Sequence, residues 1–133
     1  MNFTAFSQKL ANDIDGEYTE YDSRHSVFIV PLQDKRFQTV IARIVESEKY
    51  GKEVVKVTSK VCEVAAQQID FVKALEASTE LVHTRFIVED GYLKTEASFF
   101  LDNLTDSLIK EMILEVTYTA DEWEFIITGQ DNF

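Results

Sequence analysis

The chain has 133 residues, 45% of them hydrophobic, and its 24 acidic against 13 basic residues give a formal net charge of −11. That length and apolar content suit one domain with a real core over 1–133, and the negative field repels phosphate backbones and anionic lipid, which excludes nucleic acid as an expected partner. No run of about 18 apolar residues offers a membrane span, and the opening MNFTAFSQKLANDIDG lacks a basic and an apolar leader region, so a soluble, cytoplasmic protein without membrane insertion is expected.

In chain order, Phe3, Phe6, Leu10 and Ile14 recur at spacings of three and four ahead of Gly16 and predict a short amphipathic helix. Glu17 to Asp22 reads as a polar edge strand, with a turn at Asp22-Ser23-Arg24. Ser26 to Leu32 and Arg36 to Glu46 are rich in β-branched and aromatic residues and predict an antiparallel hairpin across Gln33-Asp34-Lys35. Pro31 has no N–H for a ladder, so it belongs at a strand end. A turn around Gly51 leads to a fourth short strand, Val54 to Thr58. Cys62, the only cysteine, rules out an internal disulfide and a multi-cysteine zinc site, and reads as a small buried or half-buried hydrophobe. From about Val64 to Ala77 the apolar spacing becomes helical, with a narrow and interrupted stripe.

Leu81 to Leu101 carries the strongest local signal. Asp90-Gly91 is the dipeptide that a two-residue type I′ turn requires, because both central residues take positive φ. A two-residue loop sets Val88 against Leu93, Phe86 against Thr95, Thr84 against Ala97 and Val82 against Phe99 on an apolar face. Glu89/Tyr92, Ile87/Lys94, Arg85/Glu96 and His83/Ser98 then share the other, mostly polar face. Thr105 follows as an N-cap, Asp106 suits the positive end of the helix dipole, and Leu104 can staple onto Ile109. Leu108, Met112, Val116, Ala120, Trp123 and Ile127 predict one long helix of about 22 residues, about 33 Å, with a frayed Gly129 to Phe133 beyond it.

The resulting order is α-β-β-β-(β)-α-β-β-α, an α+β fold with an antiparallel sheet and helices packed on it. Arg36-Phe37-Gln38-Thr39-Val40 lies in a central strand, and Arg85-Phe86-Ile87-Val88-Glu89-Asp90-Gly91-Tyr92-Leu93 forms the hairpin. With Leu101-Asp102-Asn103-Leu104-Thr105 and Ala120-Asp121-Glu122-Trp123-Glu124 they cover roughly Val27 to Trp123. On these segments the chain resembles the type III secretion chaperone-like fold and, within it, the YbjN family of small bacterial proteins. Gln67 to Ala77 departs from the YbjN-like pattern, which carries a Leu-rich, Asn-terminated segment there. The resemblance implies a non-enzymatic binding or regulatory protein, often a homodimer.

Catalytic and metal chemistry find little footing. His25 and His83, the only histidines, have no second ligand at metal spacing, and both read as surface residues. Asp13, Asp15 and Glu17 cluster around Gly16, but position twelve of a calcium loop counted from Asp13 is Arg24, so a solvated turn is expected. No GxSxG elbow or phosphate-cradling glycine loop can be built from glycines at 16, 51, 91 and 129. No catalytic residue, cofactor or metal is expected.

The functional signal is an apolar surplus. Val27 and Ile29 alternate with Phe28, Val30 and Leu32, and Val40, Ala42 and Ile44 with Phe37, Ile41 and Val45, so both faces of two adjacent strands are apolar. Either the middle helix or a curled sheet covers the second face, or another molecule does. Phe28, Val30, Phe37 and Ile41 are the candidate partner-binding or dimer face. The expectation is a protein-binding module, chaperone-like or regulatory, that forms a homodimer and binds a protein partner. The alternatives are a dedicated type III secretion chaperone for one effector and an NTF2-like ligand binder or enzyme, against which the long last helix argues.

Overall fold

The β-branched and aromatic runs assemble one antiparallel sheet, and the helical segments pack on one side of it. The structure, a computed structural model, describes residues 3–14, 16–22 and 24–129. Its elements are α1 (Phe3–Asp13), β1 (Glu17–Asp22), β2 (His25–Pro31), β3 (Phe37–Ser47), β4 (Lys52–Glu63), α2 (Phe71–Ala77), β5 (Thr84–Glu89), β6 (Tyr92–Phe100) and α3 (Asp106–Thr128). The strands follow the order β1-β2-β3-β4-β6-β5, so β1 and β5 are the edges.

The β2–β3 connection is a tight turn in which Asp34 and Lys35 take positive φ, 59° and 62°. The Leu32 N–H donates to the Arg36 carbonyl at 2.8 Å and closes it. That closure sets Phe28 against Val40, Val30 against Gln38 and Pro31, at the strand end, against Phe37. The β5–β6 hairpin has the predicted pairs from Thr84/Ala97 to Glu89/Tyr92, with Asp90 and Gly91 at φ 54° and 81°. Its ladder stops at Thr84, so His83 does not face Ser98 and Val82 does not face Phe99. Glu115 of α3 accepts the backbone N–H groups of Val82 (3.0 Å) and His83 (2.7 Å), which draws this segment off the sheet toward the helix.

Two elements differ in length from their sequence expectation. β4 runs to Glu63, beyond Thr58. Ser59 breaks its alternation of valines, yet Ser59 is buried, because its hydroxyl donates to the Thr39 carbonyl (2.7 Å) and accepts from Gln38 Nε2 (2.8 Å). The period beginning at Val64 yields a single 3-10 turn, Val64–Ala66, and then the two-turn α2. Asp70 caps α2 by accepting the Lys73 N–H at 3.0 Å, and only Ala74 of that helix is buried.

α3 matches its prediction at its start, while at its far end Gly129, expected to fray, caps the helix. Thr105 Oγ1 accepts the Leu108 N–H at 3.2 Å, Leu104 and Ile109 are both buried in the staple, and Gly129 ends the helix at φ 71°. Its 23 residues rise about 34 Å, enough to cross the sheet. Beneath it Phe28, Val40, Ala42, Val55 and Val57 meet Ile109, Met112, Ile113 and Val116. Leu10 and Ala11 of α1 and the adjoining Ile14 complete this cluster, while the side chains of Phe3 and Phe6 and all of residues 130–133 lie outside the described residues. A second cluster under the end of α3 joins Val61, Cys62, Phe86, Leu93 and Trp123 to Ala74 of α2. Each large side chain so buried contributes roughly 1.5–3 kcal/mol.

Candidate functional site

With α1, α3 and α2 all on one side, alternation along the strands turns the other set of residues to an open face. Ile29 of β2, Phe37, Thr39, Ile41 and Arg43 of β3, Thr58 and Lys60 of β4, and Lys94 and Glu96 of β6 belong to it. Ile29, Phe37 and Ile41 are exposed there, and no described element covers them. The middle helix does not serve as a cover, because α2 is short and packs through Ala74 beside β5 on the helix side.

The four residues proposed as one face are divided between two. Phe28 and Val30 are 0% and 2% exposed and lie in the core beneath the helices, while Phe37 and Ile41 are 54% and 39% exposed on the open face. The closure of the β2–β3 turn pairs Phe28 with Val40 and Val27 with Ile41, so Phe28 and Ile41 point to opposite sides. Ile29, opposite Thr39, takes the place that Phe28 was expected to fill.

The open face gathers positive charge in an acidic chain. Arg85 lies 2.6 Å and Lys56 4.0 Å from the buried Glu96 carboxylate. Lys94 lies 3.0 Å from Glu89 and 3.7 Å from Asp90, and Arg43 lies 3.8 Å from Glu89. The hydrogen bond from Lys94 holds the Glu89 carboxyl below its ordinary value, with partial burial opposing it and Lys94, Arg43 and Lys56 adding through their charge. Lys60 places its ammonium 4.1 Å from the centre of the Tyr92 ring.

A cleft cuts this face where the sheet parts. The β3–β4 ladder runs only from Ile41/Thr58 to Ser47/Lys52, although β3 begins at Phe37 and β4 continues to Glu63. Beyond Thr58, β4 follows β6 through a register shift between Lys60 and Cys62, a bulge that bends the strand and increases its twist. Side chains bridge the gap on the core side: Ser59 Oγ donates to the Thr39 carbonyl, and Gln38 Nε2 donates to Ser59 Oγ and to the Lys60 carbonyl at 2.9 Å. The open side is a cleft of about 300 Å³ with Phe37, Thr39 and Ile41 on one wall and Thr58, Lys60 and Lys94 on the other.

Thr39, Thr58, Lys60 and Lys94 were not singled out from the sequence. The alternation of Lys56, Thr58 and Lys60 with Val57 and Val61 was the available signal, and Ser59 at a core position masked it. The remaining candidates do not converge on the cleft. His25 opens β2, and His83 Nε2 lies 3.2 Å from Glu111 on α3. Burial pushes the Cys62 thiol up, and the charge of Glu124 adds to the effect. Asp15 of the acidic turn lies outside the described residues, among which no group of three or more His, Cys, Asp or Glu is placed to hold a metal ion. No helix of the described residues is long and apolar enough to cross a membrane.

No family model matches the chain, and no curated protein matches it. Among solved structures, it is similar to a chain in the crystal structure of the ExsC-ExsE complex, with a TM-score of 0.51 and 11% sequence identity over 96% of this chain and 97% of that one. At that identity the likeness speaks to architecture, and it extends over nearly the whole of both chains. The fold is α+β and type III secretion chaperone-like.

Proposed function

We propose that this chain is a non-enzymatic, protein-binding module, chaperone-like or regulatory, that holds an apolar segment of another protein on its open sheet face. The observation that carries the reading is the exposure of Ile29, Phe37 and Ile41 side by side on a face that no described element covers, while the opposite face is filled. An uncovered apolar surface on an antiparallel sheet is a common mark of a binding site. The shared fold with a chain of the ExsC-ExsE complex supports the chaperone-like part of the reading.

The narrower forms of this reading are a dedicated secretion chaperone for one effector and a cytoplasmic regulator of the YbjN kind. The latter rests on the segments around Phe37, Phe86 and Trp123. A homodimer has its own candidate surface beside β5, where the exposed Phe71 and Leu75 of α2 line one shallow pocket with Val88. An NTF2-like ligand binder has less support, because α3 and its core partners fill the inside of the sheet.

The test compares tagged wild-type and Phe37→Asp proteins as baits in a native extract, with circular dichroism and light scattering on both. Retained fold together with loss of a captured protein is the expected result. Capture of the same proteins by both baits would falsify the open-face reading.

A further inference from the structure

The parting of β3 from β4 creates a cleft with unlike walls. Its β3 side is apolar, with Phe37 and Ile41, and its β4–β6 side is cationic, with Lys60 and Lys94. Lys60 and Lys94 are register partners across β4 and β6, and like charges placed directly opposite one another destabilise a sheet pair. Lys94 is compensated by Glu89 and Asp90. Lys60 is held only by the Tyr92 ring and makes no ion pair with a described residue. A chain with 24 carboxylates against 13 basic residues therefore leaves a cation without a carboxylate at the mouth of an apolar cleft.

We propose that this cleft binds an extended segment of a partner protein in which carboxylates alternate with aliphatic side chains, the carboxylate seated on Lys60 and the aliphatic groups on Phe37 and Ile41. The proposal rests on the open-face reading and adds the chemistry of the occupant. Shape supports an extended chain, since the cleft lies between the unpaired lengths of two strands that the Gln38–Lys60 and Ser59–Thr39 hydrogen bonds keep close together. Its volume of about 300 Å³ sits at the lower end of the range of about 300–1,000 Å³ for ligand pockets, so it takes a short stretch of chain. Charge complementarity selects the acid: the carboxylate supplies the partner that Lys60 lacks, in a site partly shielded from water where a charge-assisted hydrogen bond is strengthened.

The prediction runs against the field of the whole protein. A net charge of −11 favours a basic ligand at long range, whereas the cleft favours an acidic one at contact. Three short fluorescein-labelled peptides serve as probes, alternating leucine with glutamate, glutamine or lysine, and their binding to the full chain is followed by anisotropy at low salt. The glutamate peptide should bind about tenfold tighter than the glutamine peptide, and the lysine peptide weakest. Lys60→Gln should abolish that preference without weakening the glutamine peptide, and Lys60→Arg should restore it, with circular dichroism confirming the fold of each variant. Equal binding of the glutamate and glutamine peptides overturns the Lys60 assignment; if Phe37→Asp still removes both, the open-face reading stands. Binding of none of the peptides overturns both readings. Tightest binding of the lysine peptide, or dissociation of a homodimer by Lys60→Gln, overturns the proposal by naming a different occupant.

Discussion

Trp123 ties three elements together, and its removal should loosen one of them first. The ring is 8% exposed and stands edge-on to Phe86, with centroids 5.1 Å apart and planes at 69°. Around it lie Val61, Leu93, Ala120 and Ala74 of α2. Trp123→Ala deletes a large buried ring and should cost about 3–5 kcal/mol, of which the aromatic pair accounts for about 0.5–1.5 kcal/mol. Domains of this size have about 5–15 kcal/mol in all. For 133 residues the unfolding entropy is about 280 cal/mol/K, so a loss of about 4 kcal/mol lowers Tm by about 14 °C. Because Ala74 is the only buried residue of α2 and belongs to this cluster, proteolysis between 64 and 83 should accelerate more than the global change requires. Trp123→Phe keeps an edge-on partner for Phe86 and should lose much less. The assay is thermal and urea unfolding by circular dichroism, joined to limited proteolysis with mass spectrometry of the fragments. A fall in Tm below about 3 °C, or native tryptophan emission like that of the free amino acid, refutes the packing described for the end of α3.

Gly91→Val should destabilise the fold by about 1–3 kcal/mol in urea, through backbone strain alone: φ is 81° there, and an added Cβ meets nothing within 4 Å. An unchanged midpoint would remove the type I′ turn as the origin of the hairpin register. Phe28→Asp should abolish the cooperative thermal transition, because it places a carboxylate at a fully buried position under α3, whereas the exposed Phe37→Asp keeps it; two equally folded variants would reverse the assignment of faces. Burial raises the Glu115 carboxyl, but the N–H groups of Val82 and His83, which donate to it at 3.0 and 2.7 Å, oppose that, and the carboxyl sits below its ordinary value. A depressed folded value means that this contribution is complete above about 4.5 and is lost as pH falls through the lower folded value. The stability gap between wild type and Glu115→Ala should accordingly narrow in acid, and a gap independent of pH contradicts the origin given for it.

Much of the fold was legible because its determinants are local. Asp90-Gly91 sets the β5–β6 register within four residues of chain, and Thr105 and Leu104 mark the start of α3 through bonds and contacts inside one turn. The α+β order follows from the change of apolar period from two to helical spacing and back, and it matches the observed element order. Alternation likewise identified both strands with two apolar faces, β2 and β3.

The rest depends on partners far along the chain. Alternation states which residues of one strand share a side, but only the closure of the Gln33–Lys35 turn joins Phe28 to Val40 and sends Phe37 and Ile41 the other way. Ser59 is an acceptable core residue because Gln38 and Thr39, on another strand, satisfy its hydroxyl, and His83 leaves the ladder because Glu115 on α3 takes its N–H. The cleft itself arises from a bulge in β4 and from strands that cease to pair. A residue's intrinsic preference carries the helix caps and the hairpin, whereas the choice of which apolar face receives α3 is a competition between two burials of similar chemistry. Long-range packing settles that choice, and with it the side on which Phe37 and Lys60 stand open.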